Sequence, residues 1–326
     1  MDYSVFKDKR ILITGATGLI GKALTRKLLQ CGAKIIALVR DEQKARTIFA
    51  DISDKGIEYF TGDVTTAQAV DVGADYIIHG ASITSSRAFI NEPAEVIKCS
   101  VKGAENLLEF ARVNKVKGFV YLSTMEVYGA PDGDEKIAET HASNLNTMSP
   151  RSGYPESKRL CECLCASYAA QYAVPAKVVR LTQTFGPGVC YQDTRVFAEF
   201  ARCILEKRDI ILKTKGETKR NYLFTEDAAE AILTVLAKGK VGEAYNAANE
   251  DTYCSIYQMA QLVADRFGQG KVKVMIEECG DVSHLGYAPV LKMNLDCSKL
   301  KALGWRPKTG LEKAFESMID HMKTVR

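Results

Sequence analysis

The sequence predicts an α/β protein, a Rossmann doubly wound parallel sheet with a smaller interleaved α+β C-terminal domain. Three observations predict it. An apolar run, Ile11-Leu12-Ile13, feeds Thr14-Gly15-Ala16-Thr17-Gly18-Leu19-Ile20-Gly21, which opens onto a helical pattern at Leu24, Leu28 and Leu29. Short apolar runs and helical patterns then alternate through the first half, as βαβ units require. The ends of those runs carry Gly15, Arg40, Asp63, Ala81 and Thr124, and ligands on such sheets bind beyond the C-terminal strand ends.

The glycine turn comes first. A strand, a glycine turn and a helix together present unpaired N–H groups to a phosphate. Glycine serves there because φ is strained, the pyrophosphate nears the main chain, and helix and strand pack closely. The spacing is Gly-x-x-Gly-x-x-Gly, not Gly-x-Gly-x-x-Gly, and a chain with 24 glycines produces such triplets by chance. Its position makes it a dinucleotide cradle built from Gly15, Thr17, Gly18, Leu19, Ile20 and Gly21, with a ligand-free turn as the alternative. Residues 34–39 form a second strand, ending at Arg40-Asp41. A carboxylate there suits the ribose 2′-hydroxyl of NAD, and an arginine suits the 2′-phosphate of NADP. Arginine comes first, which favours NADP and leaves NAD open. Alternatively, Arg40 stacks on adenine or lies in solvent, and Asp41 caps the next helix.

A helix over about 42–50, a strand at 57–60 and the polar end Asp63-Val64 follow. Residues 75–79 read as a buried strand closed by Gly80-Ala81-Ser82, residues 93–113 as an amphipathic helix, and 118–123 as a strand ending at Thr124. Beyond Leu181 the alternation loosens. A helix at 196–205, a strand at 210–212, a helix from Asp227 to Ala237 and a returning strand at 243–248 are expected. The division is a Rossmann domain of 1–180 plus about 221–255, and a second domain of 181–220 plus 256–326.

With 326 residues, 46% of them hydrophobic and 26% charged, the chain reads as an ordinary soluble globular protein. The formal charge of +4 is too slight to suggest a nucleic-acid or membrane partner. The N-terminal residues lack a signal peptide's apolar core, and no apolar run reaches the ~18–20 residues of a membrane helix. The expectation is a cytoplasmic protein whose ten cysteines are reduced. Cys161, Cys163 and Cys165 cannot converge on one ion from a helix, because i+2 points to the opposite side. No Cys-x-x-Cys pair exists and His79, His141, His284 and His321 are scattered, so no metal site is expected.

Tyr154-Pro155-Glu156-Ser157-Lys158 places a phenol and an ammonium one helical turn apart. Pro155 is tolerated only near a helix start, so Tyr154 belongs at the positive helix end. Ammonium and dipole both favour phenolate, which makes Tyr154 a base for an alcohol that yields hydride to nicotinamide. Spacing alone is weak, since Tyr3 and Lys7 share it. A hydroxyl at Ser123-Thr124, ending a sheet strand, can hold the reacting oxygen.

Thr14–Gly21, Ser123–Gly129 and Tyr154–Lys158 resemble the extended short-chain dehydrogenase/reductase superfamily, in its NAD-dependent epimerase/dehydratase branch. His79–Ser82, Phe185-Gly186-Pro187, Arg220 with Asp227, and Leu303–Pro307 extend the resemblance over essentially the whole chain. It implies a tightly held NAD(P), a C-terminal domain that binds a nucleotide sugar, and a homodimer built through two long helices. It also implies that Thr124, Tyr154 and Lys158 oxidise the sugar at C4, so that C5 becomes acidic or a C6 carboxylate labile. Sugar 4,6-dehydratases of the branch carry Thr-Asp-Glu where this chain has Thr124-Met125-Glu126, and Met125 donates no proton. Decarboxylases of UDP-glucuronate carry Thr-Ser-Glu and a segment resembling Pro150–Tyr154 with Lys158-Arg159, so decarboxylation leads and epimerisation follows. Glu126 then serves as acid/base, or alternatively bridges to Arg151. Gln183 and Ser100 stand where the branch has Asn, which points to a less familiar substrate. Arg195 and Arg220 match diphosphate-holding positions, with surface pairing as the alternative. Two other readings are an NADPH-dependent carbonyl reductase and a non-enzymatic dinucleotide sensor.

Overall fold

Continuous apolar runs become strands covered on both faces, and that is their fate here. The computed structural model describes residues 3–52, 56–66, 72–131, 133–142, 144–278 and 290–325; Cys279 and His284 lie outside them. In chain order come β1 (Arg10–Thr14), α1 (Leu19–Gln30), β2 (Lys34–Val39), α2 (Glu42–Ile48), β3 (Ile57–Thr61), β4 (Tyr76–His79), α3 (Ser86–Asn91), α4 (Pro93–Val113) and β5 (Gly118–Thr124). Next are β6 (Lys136–Ile137), α5 (Gly153–Tyr172), β7 (Ala176–Leu181), β8 (Gln183–Phe185), α6 (Val196–Glu206), β9 (Ile210–Leu212) and β10 (Lys219–Phe224). The chain closes with α7 (Thr225–Lys238), β11 (Ala244–Ala247), β12 (Asn249–Ser255), α8 (Ile256–Phe267), β13 (Val274–Ile276), β14 (Lys292–Leu295), α9 (Ser298–Ala302) and α10 (Leu311–Thr324).

Seven parallel strands form the main sheet in the order β11-β7-β5-β4-β1-β2-β3. Side chains alternate between its faces. Ile11, Ile13, Ile78, Val120 and Leu122 meet α1 and α7, whereas Leu12, Ile77, Phe119 and Tyr121 meet α4 and α5. Cys161 and Cys165 of α5 are buried against that second face and Cys163 is exposed. The strand order reverses between β1 and β4, which opens a crevice at their C-terminal ends.

A smaller sheet runs β12-β10-β14-β6, with β8 added beside β10. It packs with α6, α8 and α10 around Phe185, Phe197, Tyr222, Met259 and Phe315. Both sheets draw on the stretch 221–255. Within that stretch only α7 and β11 serve the main sheet, because Tyr222 of β10 buries its ring with Phe185 rather than under α1. Among the described residues no helix is long and apolar enough to cross a membrane.

At the crevice, Thr14 Oγ1 lies 2.7 Å from His79 Nδ1 and accepts the Ala81 N–H at 3.1 Å. Burial, with help from the Lys158 charge, depresses the His79 imidazole from 6.5 to about 3. The folded value lies below the unfolded one, so this contribution to stability is complete above pH ~6.5 and is lost as pH falls towards 3. His79→Gln should flatten the loss, removing up to about 1.4 kcal/mol per pH unit between pH 6 and 4. Urea midpoints of both proteins across that range check it; parallel lines would refute the assignment.

Candidate active site

Gly15 adopts φ +74°, and a Cβ there would stand 2.9 Å from the Ala81 nitrogen. A Cβ on Gly21 would lie 2.0 Å from the Gly15 oxygen, so α1 rests directly on the turn. Gly18 differs. It is exposed and caps α1, and a Cβ would meet within 4 Å only the Gly15 oxygen, at 3.2 Å. No side chain caps α1 and its first turn holds no acid, so the positive helix end stays uncompensated. Leu19 and Ile20 turn their side chains into the two cores, which leaves their main chain to face the turn. Thr17 is half-exposed on it. The cradle fits a pyrophosphate.

Arg40 is exposed at the end of β2, with no hydrogen bond to the described residues. Asp41 caps α2, accepting the Lys44 N–H at 2.9 Å, as the alternative reading foresaw. Asp63 accepts the Thr65 N–H at 2.8 Å and its hydroxyl at 2.7 Å. Those bonds, aided by the Arg40 charge, hold its carboxyl below the usual range. Val64 is buried and its carbonyl accepts the Asn106 amide at 2.8 Å. Arg40, Asp63 and Ala81 thus gather around the crevice.

The helix α5 begins at Gly153, so Pro155 falls where its missing N–H costs nothing. Tyr154 is 7% exposed and its ring stacks on Phe89, centroids 4.2 Å apart at 17°. Lys158, fully enclosed, donates to the Leu122 carbonyl at 2.9 Å and stands 5.8 Å from the Tyr154 ring centre. Burial lowers its pKa from 10.5 to about 8. The phenol behaves against the expectation of a lowered pKa. Burial pushes it up, the Glu126 charge adds to that, and hydrogen bonding to Thr124 and the Arg151 charge pull only part of the way back. Local charges favour phenolate, but desolvation of the anion is the larger effect.

Thr124 accepts the Glu126 N–H at 3.3 Å, and Glu126 Oε2 receives Arg151 Nη2 at 2.7 Å. Met125 is buried, its sulfur accepting the Thr182 hydroxyl at 3.3 Å. Below the cluster, Ser123 donates to Glu162 at 2.5 Å, and Glu162 is gripped by Arg180 at 3.0 and 2.6 Å. That network stiffens the end of β5.

Among the other candidates, Arg195 spends its fork on Asp193, at 3.0 and 2.6 Å, the surface pairing that stood as its alternative. Arg220 is half-buried on β10, its Nε without a partner. Gln183, on β8, makes no side-chain hydrogen bond with the described residues. Asp227, read with Arg220 in the motif, instead accepts the N–H groups of Lys308 and Thr309 at 3.1 and 2.9 Å. Sequence reasoning missed Phe89. Its only local sign was an apolar Ala88-Phe89-Ile90 run between the crevice loop and Pro93.

A seven-stranded Rossmann sheet with a bare helix end and a Tyr–Lys pair at its crevice defines a class, and the chain belongs to the NAD dependent epimerase/dehydratase family, whose model matches residues 11–248. The resemblance seen in the sequence is borne out. Over 316 residues the chain is 28% identical to UDP-glucuronic acid decarboxylase 1 of Xenopus tropicalis, covering 97% of this chain and 72% of that one. Human dTDP-D-glucose 4,6-dehydratase is 26% identical, covering 96% of this chain and 89% of the relative. The structure of UDP-glucuronic acid 4-epimerase from Bacillus cereus with UDP-glucuronic acid and NAD shares the fold, with a TM-score of 0.81 at 20% identity over 97% of this chain and 100% of that one.

Proposed function

We propose that this protein oxidises a nucleotide sugar at C4 and then decarboxylates it, with UDP-glucuronate as the favoured substrate. The observation that carries the reading is the cluster of Thr124, Tyr154 and Lys158 at the crevice, with Glu126 beside it and Met125 buried. A nicotinamide dinucleotide, held by the glycine cradle with Arg40, Asp63, Val64 and Ala81, supplies the hydride acceptor. Tyr154 takes the C4 hydroxyl proton while Thr124 holds the oxygen. Lys158, one helical turn away with its ammonium 5.8 Å from the ring centre, is proposed to steady the phenolate, beside the Arg151 charge that favours it. With a ketone at C4, the C5–C6 bond breaks, its electron pair moves towards the carbonyl, carbon dioxide leaves and C5 regains a proton; return of the hydride to C4, with the Tyr154 proton to its oxygen, would restore both the alcohol and the dinucleotide. Met125 offers no acid to a departing hydroxyl, which argues against 4,6-dehydration. Epimerisation is the second reading, favoured by Glu126, a carboxylate beside Thr124 that can serve as acid or base.

Arg220, with its unpartnered Nε, is proposed to hold the diphosphate, and Gln183 the sugar or phosphate. Arg195 joins them only by releasing Asp193. A homodimer through α4 and α5 is supported by Ile97, Val113, Leu160 and Tyr172, all exposed on those helices. The two sheets are proposed to divide the work, the larger for cofactor and the smaller for the nucleotide.

The deciding experiment is incubation with UDP-, dTDP-, CDP- and GDP-sugars in deuterated water, followed by mass and carbon dioxide release. Gas from UDP-glucuronate supports the proposal. Deuterium uptake without mass loss replaces it with epimerisation, and turnover only with added NADPH replaces it with a carbonyl reductase. Arg40, without a hydrogen bond among the described residues, and the engaged Asp41 support NADP over NAD. Arg40→Ala should weaken NADP about 10–100-fold, the worth of charge-assisted phosphate bonds, and leave NAD within about threefold. Competitive titration checks it; equal losses would remove Arg40 from the phosphate.

A further inference from the structure

We propose that Arg151 reads the carboxylate on the substrate's sugar, as the residue that separates acidic sugars from neutral ones. The inference rests on the C4-oxidation reading above and adds the group that selects the substrate. Arg151 lies in the short turn Pro150–Ser152 that leads into α5. Its guanidinium covers the Phe89 ring at 4.7 Å, and that ring stacks on Tyr154. The fork is thus held in a fixed relation to the phenol, through an aromatic brace rather than a flexible stem.

A guanidinium carries five N–H donors in a plane. Among the described residues Arg151 uses its Nη2 on Glu126, at 2.7 Å, and makes no other hydrogen bond that the structure records. Its side chain is 34% exposed, so it is not enclosed by the protein and has donors left to give. Glu126 and Arg151 are also the charged side chains whose fields are felt at the Tyr154 oxygen. A sugar whose C4 oxygen sits on Tyr154 therefore brings its C5 substituent to this pair. A neutral hydroxymethyl group gains one ordinary hydrogen bond there. A carboxylate gains the planar, charged fork that suits it.

Glu126 adds a second effect. With the sugar acid bound, two carboxylates share one guanidinium, and their repulsion eases as carbon dioxide leaves uncharged and the negative charge passes from C6 to the C4 oxygen. The pair then binds the acid while pressing its charge to move, a difference between ground and transition states.

The test uses Tyr154→Phe as the background, so that bound sugars do not turn over, with the resident cofactor kept. Dissociation constants for UDP-glucuronate and UDP-glucose are measured with Arg151 intact, with Arg151→Gln and with Arg151→Lys. Arg151→Gln should weaken UDP-glucuronate at least tenfold and leave UDP-glucose within about twofold, with Arg151→Lys intermediate. Retained UDP-glucose binding certifies the fold of each variant. Equal loss on both sugars, or loss on neither, overturns the proposal and reduces Arg151 to a tether for Glu126. Where Arg151→Gln fails to fold, as its melting curve shows, Arg151→Lys decides: a loss confined to UDP-glucuronate supports the proposal, and an equal loss on both sugars or none overturns it. Carbon dioxide release by wild type with unchanged selectivity in Arg151→Gln sinks this inference alone. No binding of UDP-glucuronate with Arg151 intact sinks the substrate reading as well.

Discussion

Tyr154→Phe should lower turnover about 10²–10⁴-fold, the usual worth of a positioned general base, with little change in nucleotide-sugar affinity. The substitution keeps the ring that stacks on Phe89 and removes only the oxygen, so the packing of α3 against α5 survives. Its cost to stability is the loss of one hydrogen bond to Thr124, about 1 kcal/mol. Single-turnover hydride transfer, read as nicotinamide absorbance at 340 nm by about its usual band, separates this from a binding defect. A variant that still reduces the cofactor at the wild-type rate would show that the proton leaves through another group.

The glycine turn carries the second large effect, and it splits by position. Gly21→Ala drives a Cβ to 2.0 Å from the Gly15 oxygen and 2.7 Å from the Ala16 Cα, both backbone atoms that cannot rotate away. Strand and helix must separate, at a cost of about 1–3 kcal/mol or more for an overpacked site, and the cradle is lost with them. Gly18→Ala meets only one contact, at 3.2 Å, so the fold is retained. The added methyl instead stands where a phosphate must approach. Dinucleotide affinity should fall at least tenfold, about 1.4 kcal/mol, while Tm stays close to wild type. Calorimetric melting beside dinucleotide titration checks the split. Normal affinity in Gly18→Ala would move the phosphate away from this turn.

The parts of the fold legible in the sequence are those fixed by neighbours along the chain. Residues 34–39 and 93–113 were bounded correctly because a covered parallel strand is continuously apolar and because Pro93 starts a helix. Tyr154 and Lys158 were paired because one helical turn separates them. What stayed hidden depends on contacts between distant segments. The two-residue β6 finds β14 across nearly half the chain and carries no periodicity of its own. Phe89 matters because α3 lies on α5, a relation that no spacing encodes. The phenol was misjudged for the same reason. Its charged neighbours were visible in sequence, whereas the burial that outweighs them comes from the assembled site. Arg195 shows the opposite case, since its partner Asp193 was two residues away and a surface pair was foreseen.

The path of the chain between the sheets has a consequence of its own. β8 leaves for the small sheet, α7 and β11 return to the large one, β12 leaves again, and β6 reaches β14 from inside the first half. Any single nick between β5 and β14 therefore strips partners from both halves, and neither can be cloned as a free-standing module. The protein should therefore melt as one block, and its cleft should widen by bending at each crossing rather than by swinging on a lone hinge.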